Sequence, residues 1–232
     1  MARDRVFRLP LFGATKEVAV PVPGGKGSLS MLLPAARKLT HAIMTAAVEH
    51  DRASGHRVTC KAGCAACCRH LVPVGVAEAK ALGDALARLP PPRRDAIKRR
   101  FEAALSKMEG EGLAAPRGPA PRTSLVATPG ADDAWRDVSR RYQALAIPCP
   151  FLENERCAVY DERPFVCREH MVTTDPRACT TGVGARAVPR PYYMTPALAA
   201  VVRELDGIAP SIVPLPFILE WLEANRDELG AD

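Results

Sequence analysis

Four cysteines stand within nine residues in Cys60-Lys-Ala-Gly-Cys64-Ala-Ala-Cys67-Cys68-Arg-His70, and no other stretch limits the chain so strongly. The other four, Cys149, Cys157, Cys167 and Cys179, follow much later at intervals of eight to twelve residues. Thiolates are soft anionic ligands, and groups of four suit a tetrahedral zinc site or the corners of an iron-sulfur cluster. The rival reading is a disulfide framework. Such frameworks belong to secreted chains usually shorter than about 100 residues, and this one has 232.

A chain of that length folds most simply as one domain with arms and buries about 70 per cent of the surface it exposes when unfolded. It has a core without metal, so a bound metal is free to serve function as well as folding. Lysine and arginine outnumber aspartate and glutamate by 32 to 26, a formal charge of +6. Eight thiolates balanced by two divalent ions or two cluster cores would bring this to about +2. The basic excess therefore speaks weakly for nucleic acid and more for a soluble surface. The amino terminus, Met1-Ala-Arg-Asp-Arg5-Val-Phe-Arg8, has no following apolar run and does not read as a signal peptide. No run of eighteen apolar residues suggests a membrane span. Reduced thiols without an export signal predict a cytoplasmic protein.

In chain order, Val6-Phe7-Arg8-Leu9 and Val18-Ala19-Val20 flank Phe12-Gly13-Ala14-Thr15 and predict a short hairpin. Pro21 to Gly27 ends it, so residues 1–27 read as an amino-terminal arm and residues 28–232 as a helical cysteine-cluster domain. Ser30 as cap, Pro34 in the first turn and Leu32, Ala35, Leu39, Ile43 and Ala46 predict a helix to about His50. His41, His50 and His56 read as surface residues, because cysteine already meets the coordination demand. Gly75 with Glu78 gives half a capping box for a helix carrying Ala79, Leu82, Leu86 and Leu89, stopped by Pro90-Pro91-Pro92. The next helix has Ile97, Phe101, Ala104, Leu105 and Met108 on one face. Arg93, Arg94, Lys98, Arg99 and Arg100 crowd its start, where they oppose the helix dipole. That cluster reads either as a solvated face or as a mark of an acidic protein partner.

Residues 110–130, rich in Gly, Pro, Ala and Thr, predict a long loop between the cysteine groups. Asp132 and Asp133 begin a helix with Trp135, Val138, Tyr142 and Leu145 on one face, ended by Pro148. Thr195-Pro196 opens another, with Leu198, Val201, Val202 and Leu205 as its buried face and Gly207 near its end. A last helix follows Pro216, with Ile218, Trp221, Leu222, Asn225 and Leu229 along one side. Tyr192 and Tyr193 lie before the last two helices and read as packing residues. The resulting fold class is mainly α: a single helical domain of five to seven helices, with loop-borne cysteine clusters converging on a metal site and a possible short N-terminal β-hairpin.

The later group reads Cys149-Pro150-Phe-Leu152-Glu-Asn-Glu-Arg-Cys157-Ala-Val-Tyr160-Asp-Glu-Arg163-Pro164-Phe-Val-Cys167-Arg168-Glu-His170. Together with Cys-x3-Cys-x2-Cys-Cys upstream, it resembles the YkgJ-like cysteine-cluster family, described as a zinc- or iron-chelating domain. The resemblance spans Cys60 to about Cys179. It implies metal chelation by Cys60, Cys64, Cys67, Cys68, Cys149, Cys157, Cys167 and Cys179 and implies no settled reaction. The flagellin lysine methylase is similar in its cysteine pattern, which raises methyl transfer as an alternative.

Neighbouring side chains such as those of Cys67 and Cys68 generally diverge, so the pair serves two sites more easily than one tetrahedron. Cys60, Cys64 and Cys67 then share one centre, its fourth corner drawn from the later group, and Cys68 joins the remaining cysteines or lies unbound nearby. Cys60-x3-Cys64-x2-Cys67 also has the spacing of radical S-adenosylmethionine enzymes. The barrel of such enzymes needs alternating strands and helices, and the segments here read as helical and proline-bounded. Between metals, one compact Cys-x3-Cys-x2-Cys with distant further ligands favours an iron-sulfur cluster over the paired knuckles of a zinc ribbon. Arg69, Arg163 and Arg168 stand beside the ligands. They either offset thiolate charge or, for Arg163, fix a turn and pair with Asp161 or Glu162. The alternative to a redox or metal-handling protein is a zinc-stapled interaction module. No Ser-His-Asp order, zinc-hydrolase motif or cofactor fingerprint argues for a hydrolase or dehydrogenase.

Overall fold

A computed structural model describes residues 3–22, 29–123, 125–126, 133–197 and 212–229. Eight α-helices lie wholly among them. The strands form three separate two-stranded antiparallel sheets, so the described residues contain no parallel barrel.

The amino-terminal hairpin pairs β1 (Arg3–Leu11) with β2 (Ala14–Val22) from Arg3↔Val22 to Leu11↔Ala14. Its two-residue turn has Phe12 at φ 50° and Gly13 at φ 83°. Two left-handed residues match the twist of the flanking strands, and glycine takes that conformation without strain. Alternation decides which face is inside: Leu11, Val18 and Val20 are buried while Val6 faces outward, and Phe7, on the inner face opposite Val18, is left exposed towards the open end of the hairpin. The buried face lies on α1 (Leu33–Ala53), against Leu33, Ala35, Ala36, Ala42 and Ile43. A 3-10 turn, Leu29–Leu32, leads into α1, so the residue at its cap is Leu32 rather than Ser30. Proline at the second helical position is tolerated because that N–H has no intrahelical partner.

The main core is made by α2 (Val76–Ala87) and α3 (Pro91–Gly110). Glu78 reaches back to accept from the Gly75 N–H at 3.0 Å, the half of the capping box that glycine leaves available. All five residues of the α3 apolar stripe are buried, and Ala79, Leu82 and Leu86 of α2 face them. The proline run does two jobs: α2 ends before it, and Pro91 and Pro92 open α3. β3 (Pro73–Gly75) pairs antiparallel with β6 (Ile212–Pro214), which brings the carboxy-terminal segment onto this core. The last predicted helix breaks at Asn225 into α7 (Ile218–Ala224) and α8 (Arg226–Leu229). That break, with the short α5 (Phe165–Glu169) and α6 (Ala178–Thr181) of the cysteine region, lifts the helix number among the described residues above seven. Trp221 is partly buried and packs on the core as expected.

Residues 111–123 and 125–126 are irregular, yet they do not merely link. Leu113 and Ala114 are buried in the main core, Ala114 bridges to Leu125, and the buried Arg122 guanidinium pairs with Glu109 at 3.2 Å and Glu220 at 2.6 Å. The fourth helix, α4 (Ala134–Ala144), is capped by Asp133, whose side chain accepts from the Arg136 N–H. Val138 and Tyr142 are buried, but Trp135, on the same face in the first turn, is 39% exposed. The chain is helical at 194–197; Leu198, Val201, Val202, Leu205 and Gly207 of the predicted helix lie outside the described residues. No helix among the described residues is long and apolar enough to cross a membrane.

Candidate metal centre

Local turns, not long elements, carry every cysteine. Cys60 ends the irregular stretch that follows α1. Gly63 at φ 83° turns the chain so that the Cys64 N–H donates to Lys61 O at 2.9 Å. Cys67 and Cys68 occupy a 3-10 turn, Ala66–Arg69. The later group begins with a turn closed by the Leu152 N–H on Cys149 O at 2.8 Å, followed by a tight hairpin of β4 (Leu152–Glu153) and β5 (Arg156–Cys157). Asn154 and Glu155 take positive φ in its turn, as a two-residue hairpin requires. Cys167 lies in α5 (Phe165–Glu169) and Cys179 in α6 (Ala178–Thr181).

The two groups meet. The Cys149 N–H donates to Cys68 O at 2.7 Å, and Arg69 pairs with Glu155 at 3.1 Å, joining residues more than eighty positions apart. All eight cysteines are free thiols. Cys60 lies within electrostatic reach of Cys64 and Cys67, and Cys179 of all three. Cys68 feels Cys149 and Cys167, while Cys149 and Cys167 feel each other, Cys157 and Cys67. These are neighbourhoods rather than closed coordination shells: among the described residues no three His, Cys, Asp or Glu side chains are already disposed to hold a metal ion.

Cys67 and Cys68 are neighbours in the 3-10 turn Ala66–Arg69, and their interaction lowers the Cys67 pKa to about 7 and raises that of Cys68. Burial pushes Cys149 up to about 12 and Cys179 up to about 11, and raises Cys60, Cys157 and Cys167. Backbone groups act against this: the Val172 N–H donates to Cys60 Sγ at 3.4 Å, and the Phe151 and Val159 backbones lower the Cys149 and Cys157 values. Such bonds stabilise a thiolate and orient it, as the surroundings of sulfur ligands commonly do.

The arginines divide. Arg69 is spent on Glu155 and on Ala65 O at 2.8 Å, not on sulfur. Arg163 does not pair with Asp161 or Glu162: Glu162 takes Arg88, and Arg163 stacks over Tyr160 at 4.2 Å. Its buried Nε has no hydrogen-bond partner, and its charge acts on Cys67, Cys157 and Cys167. Arg168 acts on Cys157 while bonding Arg163 O at 3.0 Å and Asp161 O. Two members of the basic cluster on α3 also serve this region. Arg93 and Arg100 both hold Glu153, at 2.7 and 2.9 Å, and Arg100 donates to Pro150 O at 2.7 Å. They pin the hairpin that carries Cys157.

His70 and His170 were not predicted as site residues and sit beside Cys179. His170 Nε2 is 3.8 Å from Cys179 Sγ, the two rings meet edge-on at 6.0 Å, and His70 Nε2 bonds Cys179 O. Burial, with His70 and Arg190 nearby, lowers the His170 pKa and keeps the imidazole neutral. A signal existed in the equal spacing of Cys67-x2-His70 and Cys167-x2-His170. The other histidines stay apart from the sulfurs: His50 stacks on Phe12 at 4.2 Å, His56 lies 3.6 Å from Asp51, and His41 is exposed on α1.

Comparison with protein-family models, curated proteins and solved structures finds no match. The likeness to the YkgJ-like family rests on the cysteine motifs alone.

Proposed function

We propose that the chain is a metal-chelating protein that binds iron, as an iron-sulfur cluster, or zinc through Cys60, Cys64, Cys67, Cys68, Cys149, Cys157, Cys167 and Cys179. Its role on this reading is redox chemistry or metal handling in the cytoplasm, where free thiols persist. The observation that carries it is the junction of two remote cysteine segments through the 2.7 Å Cys149–Cys68 backbone bond, with all eight thiols unpaired. The donor set fits a thiophilic metal. The Val172 N–H already points at Cys60 Sγ, and the half-buried Arg163 guanidinium supplies positive charge near Cys67, Cys157 and Cys167. A bound cluster would supply electron transfer or a Lewis-acidic iron, and bound zinc would supply structural cross-linking.

This chain's own part is to gather and deprotonate the sulfurs. Buried thiols release protons as metal enters, so uptake strengthens as pH rises. The alternative, a zinc-stapled module, is favoured by the packing of Cys149, Cys157 and Cys167 against the main core, where a closed site would act as a clasp. An acidic protein partner retains less support than the sequence offered, because Arg93 and Arg100 are engaged within the chain.

Anaerobic purification with ultraviolet-visible absorption, metal analysis and a sulfide assay tests the proposal. A brown protein with acid-labile sulfide supports clusters; a colourless one with stoichiometric zinc supports the clasp; freshly made protein with neither iron nor zinc refutes chelation.

A further inference from the structure

We propose that the outer edge of β1 pairs antiparallel with the same edge of a second copy of this chain, centred on Val6, and so builds a symmetric dimer. This surface is separate from the cysteine region and does not depend on chelation.

The turn fixes which backbone groups of β1 are free. A two-residue loop closes on a hydrogen-bonded pair, here Leu11 and Ala14. Hydrogen bonding alternates along an antiparallel strand, so Leu11, Leu9, Phe7, Arg5 and Arg3 bond β2, while Pro10, Arg8, Val6 and Asp4 turn their polar backbone groups outward. The Tyr192 hydroxyl donates to Pro10 O at 3.3 Å, as an outward carbonyl permits. That bond closes the edge at Pro10, which has no N–H to offer. From Arg3 to Arg8 the strand is exposed, and among the described residues it has β2 as its one strand partner.

A long edge carrying Val6 at 60% and Phe7 at 39% exposure is a template for another strand unless its charges repel every approach. One approach is free of repulsion. A symmetric antiparallel partner must set outward residues against outward residues. Centring on Asp4, Arg5 or Arg8 sets that residue against its own like charge. Centring on Phe7 sets Asp4 against Pro10, which lacks the donor and whose carbonyl Tyr192 already takes. Centring on Val6 avoids both faults: Val6 exchanges backbone bonds with Val6 of the second copy, and Asp4 does so with Arg8.

Side chains agree with that register. On the outward face Asp4 meets Arg8 on both sides of the symmetry axis, and Val6 meets Val6. Arg8 gives its Nε to Glu17 at 2.9 Å, which leaves its Nη nitrogens to extend the row of charges to Asp4. Asp4 makes no ion pair of its own among the described residues. On the inner face Arg5 lies opposite Phe7, close enough for the guanidinium to cover the exposed ring. Such an interface uses the same patch on both copies and closes on itself.

Sedimentation velocity of the reduced full chain from about 10 μM to about 1 mM should show a reversible monomer–dimer equilibrium, as suits a small interface. Asp4→Arg, and separately Arg8→Asp, places like charges at both pairs and should weaken self-association at least about tenfold. Mixed in equal amounts, the two variants regain both pairs and should associate more tightly than either does alone. Hydrogen exchange on the wild type needs no variant: the Asp4, Val6 and Arg8 amides should gain protection with concentration, and those of Arg5 and Phe7, already bonded to β2, should change less. A monomer throughout, leaving the edge to a strand of another protein, overturns the proposal. So does a dimer whose Val6 amide stays unprotected, a dimer that both single substitutions leave intact, or a pair of variants that stay apart on mixing.

Discussion

Two buried carboxylates near the cysteine region give opposite pH signatures. Asp51, at the end of α1, is shielded from solvent and takes both Arg186 guanidinium nitrogens, at 2.8 and 2.7 Å. That hydrogen-bonded pairing lowers its pKa. A depressed acid contributes stability that is present above its unfolded value of about 3.9 and lost as pH falls through its folded value. Glu78 accepts from the Phe165 N–H at 2.7 Å and the Gly75 N–H, yet burial outweighs these bonds and raises its pKa. Its contribution is fullest below about 4.3 and is lost as pH rises through its folded value. Thermal melts of the metal-free protein between pH 3 and 7 should separate them. Asp51→Asn should flatten the acid limb and lower the melting temperature at pH 7. Glu78→Gln should abolish the decline on the alkaline side while weakening the α2–α5 junction by about 1–3 kcal/mol. An unchanged acid limb in Asp51→Asn would refute the assignment.

At the level of elements, contacts between helices and turns decide which substitutions matter. A Cβ on Gly83 of α2 would stand 2.6 Å from Leu222 Cδ1 of α7, with the remaining Leu222 atoms no closer than 3.9 Å. Only one terminal methyl is in the way, and the helix gains about 1 kcal/mol when glycine becomes alanine. Gly83→Ala alone should therefore change stability little, and in a Leu222→Ala background it should stabilise by about 1 kcal/mol. Chemical denaturation of the four proteins in the cycle checks this. The α3 clamp is a second case. Arg100→Ala removes a bond to Pro150 O and an ion pair to Glu153, costing about 1–2 kcal/mol. It should speed metal loss from the Cys149–Cys157 hairpin more than from the Cys60 turn, as metal-release kinetics would reveal.

Across the whole molecule, the hydrophobic core and the cysteine region are coupled through Phe151, two residues beyond Cys149. Its ring meets Phe101 of α3 edge-on at 5.2 Å and 82°, both rings being buried. Phe101→Ala should cost about 3–5 kcal/mol through the cavity it leaves. Because metal binds the folded chain, loading restores part of that loss. A ligand at a thousandfold its dissociation constant adds about 4 kcal/mol, worth roughly 10 °C for a chain of this size. Calorimetry with and without zinc should show the melting temperature of Phe101→Ala rising on loading. Absence of any rise in the wild type as well would count against chelation.

The stripes of α2 and α3 were legible because a 3.6-residue period is a local property. So were the Asp133 cap and the Phe12-Gly13 turn, where chemistry within a few residues fixes the backbone. The eight thiols as a shared feature were legible for the same reason: residue type and spacing are in the chain itself. What lay beyond the sequence was everything set by residues far apart. Arg93 and Arg100 read as a surface cluster until folding brought Glu153 to them. Arg69 read as a partner for sulfur until Glu155 arrived. His170 gained its place beside Cys179 in the same way. Local periodicity and turn chemistry are written in neighbours along the chain. Ion pairing, burial and the grouping of ligands depend on distances that exist only once the chain has closed on itself.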